Sequence, residues 1–254
     1  MLRGVVRAWA EIEWRSVEAG LRRCALCFLP ADTYDERRVR AEKLGLRAIP
    51  LRARGPSGAD AKQVVVQVVI GKGRDTKAFA SAWIRRDNEE LGELLGYPKC
   101  CRKFFQKLFV AAGVTDPSWF IARNTSGAQC ETRTVLVSTL PLLNILLRSI
   151  GVRTICHLPC RLDCPNSLVL EKQFLELART ISLSNEANWL EEMLSWPCEW
   201  SALHGIAEIR TPFMKISTRT DATAEKYIVR WKGTAYPPDG IPRQVFPWLP
   251  QNPA

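Results

Sequence analysis

Gln63-Val-Val-Val-Gln-Val-Val-Ile70 is the stretch that decides the fold class. It is a near-continuous β-branched run with almost no polar alternation. That pattern predicts a strand buried on both faces, since a half-exposed strand alternates and a buried helix needs a longer run. The run ends in Gly71-Lys-Gly-Arg-Asp75. A glycine turn before a helix can offer backbone N–H groups to a phosphate. Here the spacing of a P-loop or a dinucleotide fingerprint is missing, and an ordinary strand-to-helix turn is expected.

Working outward, helical patterns follow over residues 75–86 and 87–95. Residues 53–62, with Gly55, Pro56 and Gly58, read as a loop. Upstream, residues 46–51 and 25–29 are short apolar runs of strand character, the second closed by Pro30. Asp32 or Thr33 caps a helix that reaches Leu44 and stops at Gly45, and residues 6–22 read as a surface helix. Residues 1–74 therefore form an N-terminal α/β segment.

Beyond it, residues 75–236 are expected to form a domain that carries a cysteine motif. Its middle is helical, over 100–112, 140–150, 165–181 and 186–196. Strands over 206–218 and 226–231 then pair as a hairpin around Thr220-Asp221. A proline-rich tail, 237–254, closes the chain. The expected class is α/β in the N-terminal layer and α+β overall.

The 254 residues carry a net charge of +10, placed unevenly. Residues 1–130 hold 23 basic and 14 acidic side chains, leaving +9 of the total in that half. A basic half of this kind can meet nucleic acid or a phosphorylated ligand; the plainer reading is a solvated arginine-rich surface. No apolar run approaches the roughly 20 residues of a bilayer span, and the first residues make a poor signal peptide. A cytoplasmic protein with no membrane partner is expected. The nine cysteines, an odd number, do not suit a secreted disulfide framework.

Four of these cysteines form a constellation. In Leu94-Leu-Gly-Tyr-Pro-Lys-Cys-Cys101, Gly96 ends one helix and Pro98 suits the first turn of the next, which puts Cys100 and Cys101 at a helix start. That helix would align Cys101, Phe104, Phe105, Leu108 and Ala112 on one face. In Cys156-His-Leu-Pro-Cys160-Arg-Leu-Asp-Cys164, Asp163 or Cys164 caps another helix. Four thiolates, or three with His157, satisfy tetrahedral zinc or an iron–sulfur cluster, and spacing alone does not separate the two. Thiol redox chemistry and plain core packing are the competing readings. Cys24-Ala-Leu-Cys27 is nominally a redox or zinc pair, but Cys27 lies in an apolar strand, so packing is expected there. Cys130 and Cys198 are read as structural.

The segment from Leu94 to Phe105, with GYPxCC at its centre, and the later His157-x-Pro-Cys160-x-x-x-Cys164 resemble a prokaryotic family known only as a domain of unknown function. The likeness spans roughly residues 75–235. It implies Cys100, Cys101, Cys160 and Cys164 as signature residues and no established activity.

A second polar cluster lies further on. His204 is a candidate acid–base group, with Glu208 or Asp221 orienting it, and Arg210 and Arg219 are candidate grips for a carboxylate or phosphate. The bland alternative is hairpin solubility. Together these readings point to a zinc- or iron–sulfur-dependent enzyme acting on a small molecule, or on a modified peptide or nucleotide, through sulfur or redox chemistry. The alternatives are a zinc-stabilised module whose basic N-terminal half contacts nucleic acid or an acidic partner, and a thiol-based redox protein.

Overall fold

The computed structural model describes residues 2–54, 64–154 and 156–232. Most of the expected loop at 53–62 and all of the proline-rich tail lie outside the described residues. The chain divides into two compact units. One comprises Met1–Gln106, Thr154–His157 and Val169–Trp189; the other comprises Lys107–Arg153, Leu158–Leu168 and Leu190–Ala254.

The first unit is built on a three-stranded antiparallel sheet. Its elements are α1 (Leu2–Glu18), β1 (Cys24–Pro30), α2 (Tyr34–Lys43), β2 (Arg47–Arg54), β3 (Val65–Gly71), α3 (Gly73–Arg85), α4 (Asn88–Leu94) and α5 (Lys99–Phe105). The strand order is β1-β3-β2, so the β-branched run is the central strand. Alternate side chains of β3 serve opposite faces, as strand geometry requires. Val68 and Ile70 join Trp14 and Val17 of α1 and Ala41 of α2. Val69 joins Phe79 of α3 and Leu94 of α4. Helices thus cover both faces, and Val68, Val69 and Ile70 have no exposed surface. Each fully buried side chain of this size contributes about 1.5–3 kcal/mol relative to exposure. After β3 the chain turns through Lys72 into α3, which begins at Gly73, and Asp75 in its first turn is paired with Arg23 at 2.6 Å.

The second unit holds a six-stranded sheet. Its elements are α6 (Ser118–Arg123), β4 (Gln129–Glu131), β5 (Thr134–Val137), β6 (Glu199–Leu203), β7 (Ile206–Arg210), β8 (Lys215–Arg219) and β9 (Tyr227–Trp231), in strand order β4-β5-β9-β6-β7-β8. Two longer helices, α7 (Pro165–Thr180) and α8 (Ser184–Ser195), run on through both sets of residues. The described residues thus make a mixed α/β protein. No helix among them is long and apolar enough to cross a membrane.

Three local expectations change. Residues 140–150 form two short 3₁₀ turns and no α-helix. The cause is Asn144, buried and extended, which accepts from the Leu146 N–H at 3.0 Å and donates to the Leu194 carbonyl at 3.1 Å. That side chain spends its hydrogen bonds where a helix would need the backbone's own.

The helix after Cys100 is α-helical only to Phe105 and widens into a π segment over Gln106–Ala111, so the apolar face drawn to Leu108 and Ala112 does not persist.

In the C-terminal sheet the hairpin turns fall at His204-Gly205 and at residues 211–214, not at Thr220-Asp221. β9 does not pair with β8; it runs antiparallel to β6 and parallel to β5.

Candidate metal centre

The approach to Cys100 is set by a helix stop. Gly96, at φ +74°, follows α4; its N–H donates to the Glu93 carbonyl, and the Tyr97 N–H donates to the Gly92 carbonyl at 2.8 Å. These are the two bonds of a Schellman motif, and its left-handed residue favours glycine. A Cβ at Gly96 would also sit 3.0 Å from that of Arg22. Pro98 then opens α5, and Arg102 ties the turn down by donating to the Tyr97 carbonyl at 3.2 Å and to Glu89 at 2.9 Å. Cys100 and Cys101 leave this helix start side by side, with sulfurs 3.9 Å apart.

The second pair sits on a short loop. The Asn124 amide donates to the Cys160 carbonyl at 2.7 Å, and the Leu162 N–H donates to the Thr125 hydroxyl at 3.0 Å. Cys164 occupies the cap of α7: its carbonyl accepts the first helical bond, from Leu168, at 3.0 Å.

All four sulfurs lie within 4.8 Å of one another. Cys101, Cys160 and Cys164 are buried and Cys100 is half-buried. The four cysteines are therefore positioned to bind a metal ion. An ideal tetrahedron with zinc–sulfur bonds of about 2.3 Å has edges of about 3.8 Å. Cys100 and Cys101 already match one edge, and the longest separation needs to shrink by only about an ångström.

His157 is not a member of this group. Its buried ring packs on Tyr97 with centroids 5.0 Å apart. Burial, and then the charge of Arg22, push its imidazole down to about 3, so it is neutral over the physiological range.

Beside it is a group that spacing did not reveal. Buried Arg22 donates to the Cys156 sulfur at 3.0 Å and to the Ser16 hydroxyl at 2.7 Å, and it also donates to the Glu13 carbonyl. The Tyr97 hydroxyl is 3.5 Å from the same sulfur. An arginine between a helix and a strand gives no sequence sign of being buried, although Tyr97 within GYPxCC and Cys156 beside His157 were visible.

Cys24 and Cys27 do not form a site. They are three residues apart on a strand and enter opposite cores. Burial pushes the Cys24 thiol up to about 12 and the Cys27 thiol higher still. Cys198 is buried, but Cys130 is exposed on β4.

The other polar candidates lie on or beside the C-terminal sheet. His204 is exposed at a tight turn, with φ +50° followed by +80° at Gly205. Glu208 lies 2.6 Å from Lys215 and 3.3 Å from Arg210, and the Lys215 contact is the main cause holding its carboxyl below the usual range. Burial raises Asp221, but the Thr115 hydroxyl and the N–H groups of Thr115 and Asp116 outweigh it and hold its carboxyl low. Arg219 is exposed on β8. Comparison of the chain with protein-family models, with curated proteins and with solved structures returned no match.

Proposed function

We propose that this protein binds one zinc ion through Cys100, Cys101, Cys160 and Cys164, and that the ion organises the fold around it. The single observation that carries the reading is the closeness of the four sulfurs, all within 4.8 Å. A four-iron cluster gives each cysteine a different iron and spreads the sulfurs to about 6 Å, whereas a single ion draws them onto one tetrahedron. Four protein ligands, three of them buried, are the ligand set of a closed structural site. Nine thiols with no disulfide among the described residues suit a reducing compartment such as the cytoplasm. The GYPxCC and HxPCxxxC motifs of the sequence fall on the same four cysteines.

The test is elemental analysis with an absorption spectrum on protein purified without oxygen, followed by cobalt substitution. One zinc per chain, no visible colour, and a cobalt form with intense sulfur-to-metal charge transfer are expected. Iron and inorganic sulfide in equal number with a broad visible band would overturn the zinc reading in favour of a cluster.

A second reading makes the metal catalytic, and the exposure of Cys100 favours it. Displacement of that one half-buried thiolate would open a coordination position to a small molecule. A change in the cobalt spectrum on adding imidazole or a small thiol would support this second reading; an unaltered spectrum would leave the closed site.

A further inference from the structure

We propose a nucleotide-binding cleft in the first unit, independent of the thiolate centre, with Trp83 stacking the base and Arg52 and Arg86 holding the phosphate. The cleft has a volume of about 370 Å³ and is lined by Arg52, Trp83, Arg86, Asn88 and Leu91. That volume is at the lower end of small-ligand sites and suits one nucleotide unit.

The two guanidiniums differ from their neighbours. Arg85 is paired with Glu90, Arg23 with Asp75 and Arg102 with Glu89. Among the described residues neither the Arg52 nor the Arg86 guanidinium has an ion-pair or hydrogen-bond partner, and both residues are exposed. Two uncompensated cations at one cleft attract an anion, and the planar fork of arginine suits phosphate oxygens.

The backbone brings both arginines to this place at a cost. On the edge strand β2, Pro50 pairs with Val68 but Arg52 pairs with Gln67, so Leu51 is an extra residue in a bulge. Bulges redirect side chains and recur beside functional sites. Leu51 packs with the core that holds Trp83 and Leu91, while Arg52 reaches the rim of the cleft. Arg86 ends α3 in the left-handed region, at φ 57°. Glycine is the usual residue there, and any other side chain carries a penalty of about 1 kcal/mol. Trp83, half-buried, stacks on Phe79 with centroids 6.3 Å apart, so the ring that would meet a base is already held. An immobilised indole beside arginines is the equipment for a base and its phosphate together.

The experiment uses metal-loaded full-length protein and fluorescence anisotropy of a labelled ten-nucleotide uridine oligomer, with competition by uridine monophosphate and by inorganic phosphate. Binding that weakens with salt is expected, and both Trp83→Ala and Arg52→Gln should weaken it about tenfold or more. Arg86→Gly is the discriminating variant: it removes the left-handed strain, so its melting temperature should hold or rise while binding falls by a similar factor. Full competition by the mononucleotide would identify a free nucleotide as the ligand; competition only by longer strands would identify single-stranded nucleic acid. No binding of the oligomer or the mononucleotide would overturn the proposal. So would affinity that Trp83→Ala leaves intact, or inorganic phosphate competing as well as the mononucleotide.

Discussion

Cys24 and Cys27 are separated by two residues, and Cys160 and Cys164 by three, yet only the wider pair brings its sulfurs together. The narrow pair lies on β1, where an odd spacing sends side chains to opposite faces; one sulfur enters the core under α1 and the other the core under α3. The wider pair lies on a loop that turns into α7, where the backbone curls back and both sulfurs face one point. Spacing between cysteines therefore means little until the backbone that carries it is known. A C-x-x-C in a strand cannot chelate, while C-x-x-x-C at a helix start can.

The largest effect that would break this contrast is loss of a ligand from the wider set. Cys101→Ser and Cys164→Ser should each reduce bound metal by at least tenfold, measured by elemental analysis, and should abolish the cooperative thermal transition of the metal-loaded protein. Structural zinc contributes on the order of 10 kcal/mol in small domains, more than most proteins have in reserve. Retained metal and an unchanged melt in either variant would leave these residues as ordinary core cysteines.

Cys27→Ser should act differently. It buries a hydroxyl in an apolar core and costs about 1–3 kcal/mol with metal content unchanged, whereas Cys27→Val should be close to neutral. Metal loss in Cys27→Ser would contradict the separation of the two sets.

The same pair predicts a pH effect. The folded Cys24 thiol sits near 12 against 9.0 for the ordinary group. Its burial supports the fold fully below about pH 9, and that support declines as pH rises toward 12, because the unfolded chain loses the proton first. Denaturant titrations at pH 8 and pH 10 should show a smaller decline for Cys24→Ala than for the native chain. Equal declines would mean that Cys24 titrates alike in both states.

The smallest effect concerns the polar groups of the C-terminal sheet. His204→Gly should leave stability unchanged or raise it by up to about 1 kcal/mol, since His204 holds a left-handed turn position. Glu208→Gln should cost at most about 1 kcal/mol, as its ion pairs are partly exposed. A loss well above that, read by chemical denaturation, would mark these groups as more than hairpin supports.

How legible all this was in the sequence depended on distance along the chain. The β-branched run, the stop at Gly45 and the helix start before Cys100 are written in adjacent residues, and among the described residues they appear as β3, the end of α2 and the start of α5. Residues 140–150 looked helical because nothing local announces that the Asn144 amide would bond to Leu194, fifty positions on. The partner of β9 was equally hidden: hairpin chemistry around Thr220-Asp221 suggested its sequence neighbour, and the actual partners are β5 and β6. For the metal centre, the two cysteine pairs were visible as helix-start motifs, and their convergence across about sixty residues was an inference from chemistry alone. The buried Arg22 beside Cys156 had no local sign, because a guanidinium's burial depends on acceptors that the fold supplies.

The insertion of β9 between β5 and β6 has a consequence for synthesis on the ribosome. Strands β5 and β6 are made well before β9, yet they become joined only when Tyr227–Trp231 has emerged and slid between them. Until then the nascent chain exposes two unsatisfied strand edges of apolar sequence, the kind of surface that templates association with other chains. A chain truncated before Tyr227 would keep those two edges open, and the demand on chaperones should therefore be greatest in the interval between synthesis of β6 and emergence of Tyr227–Trp231.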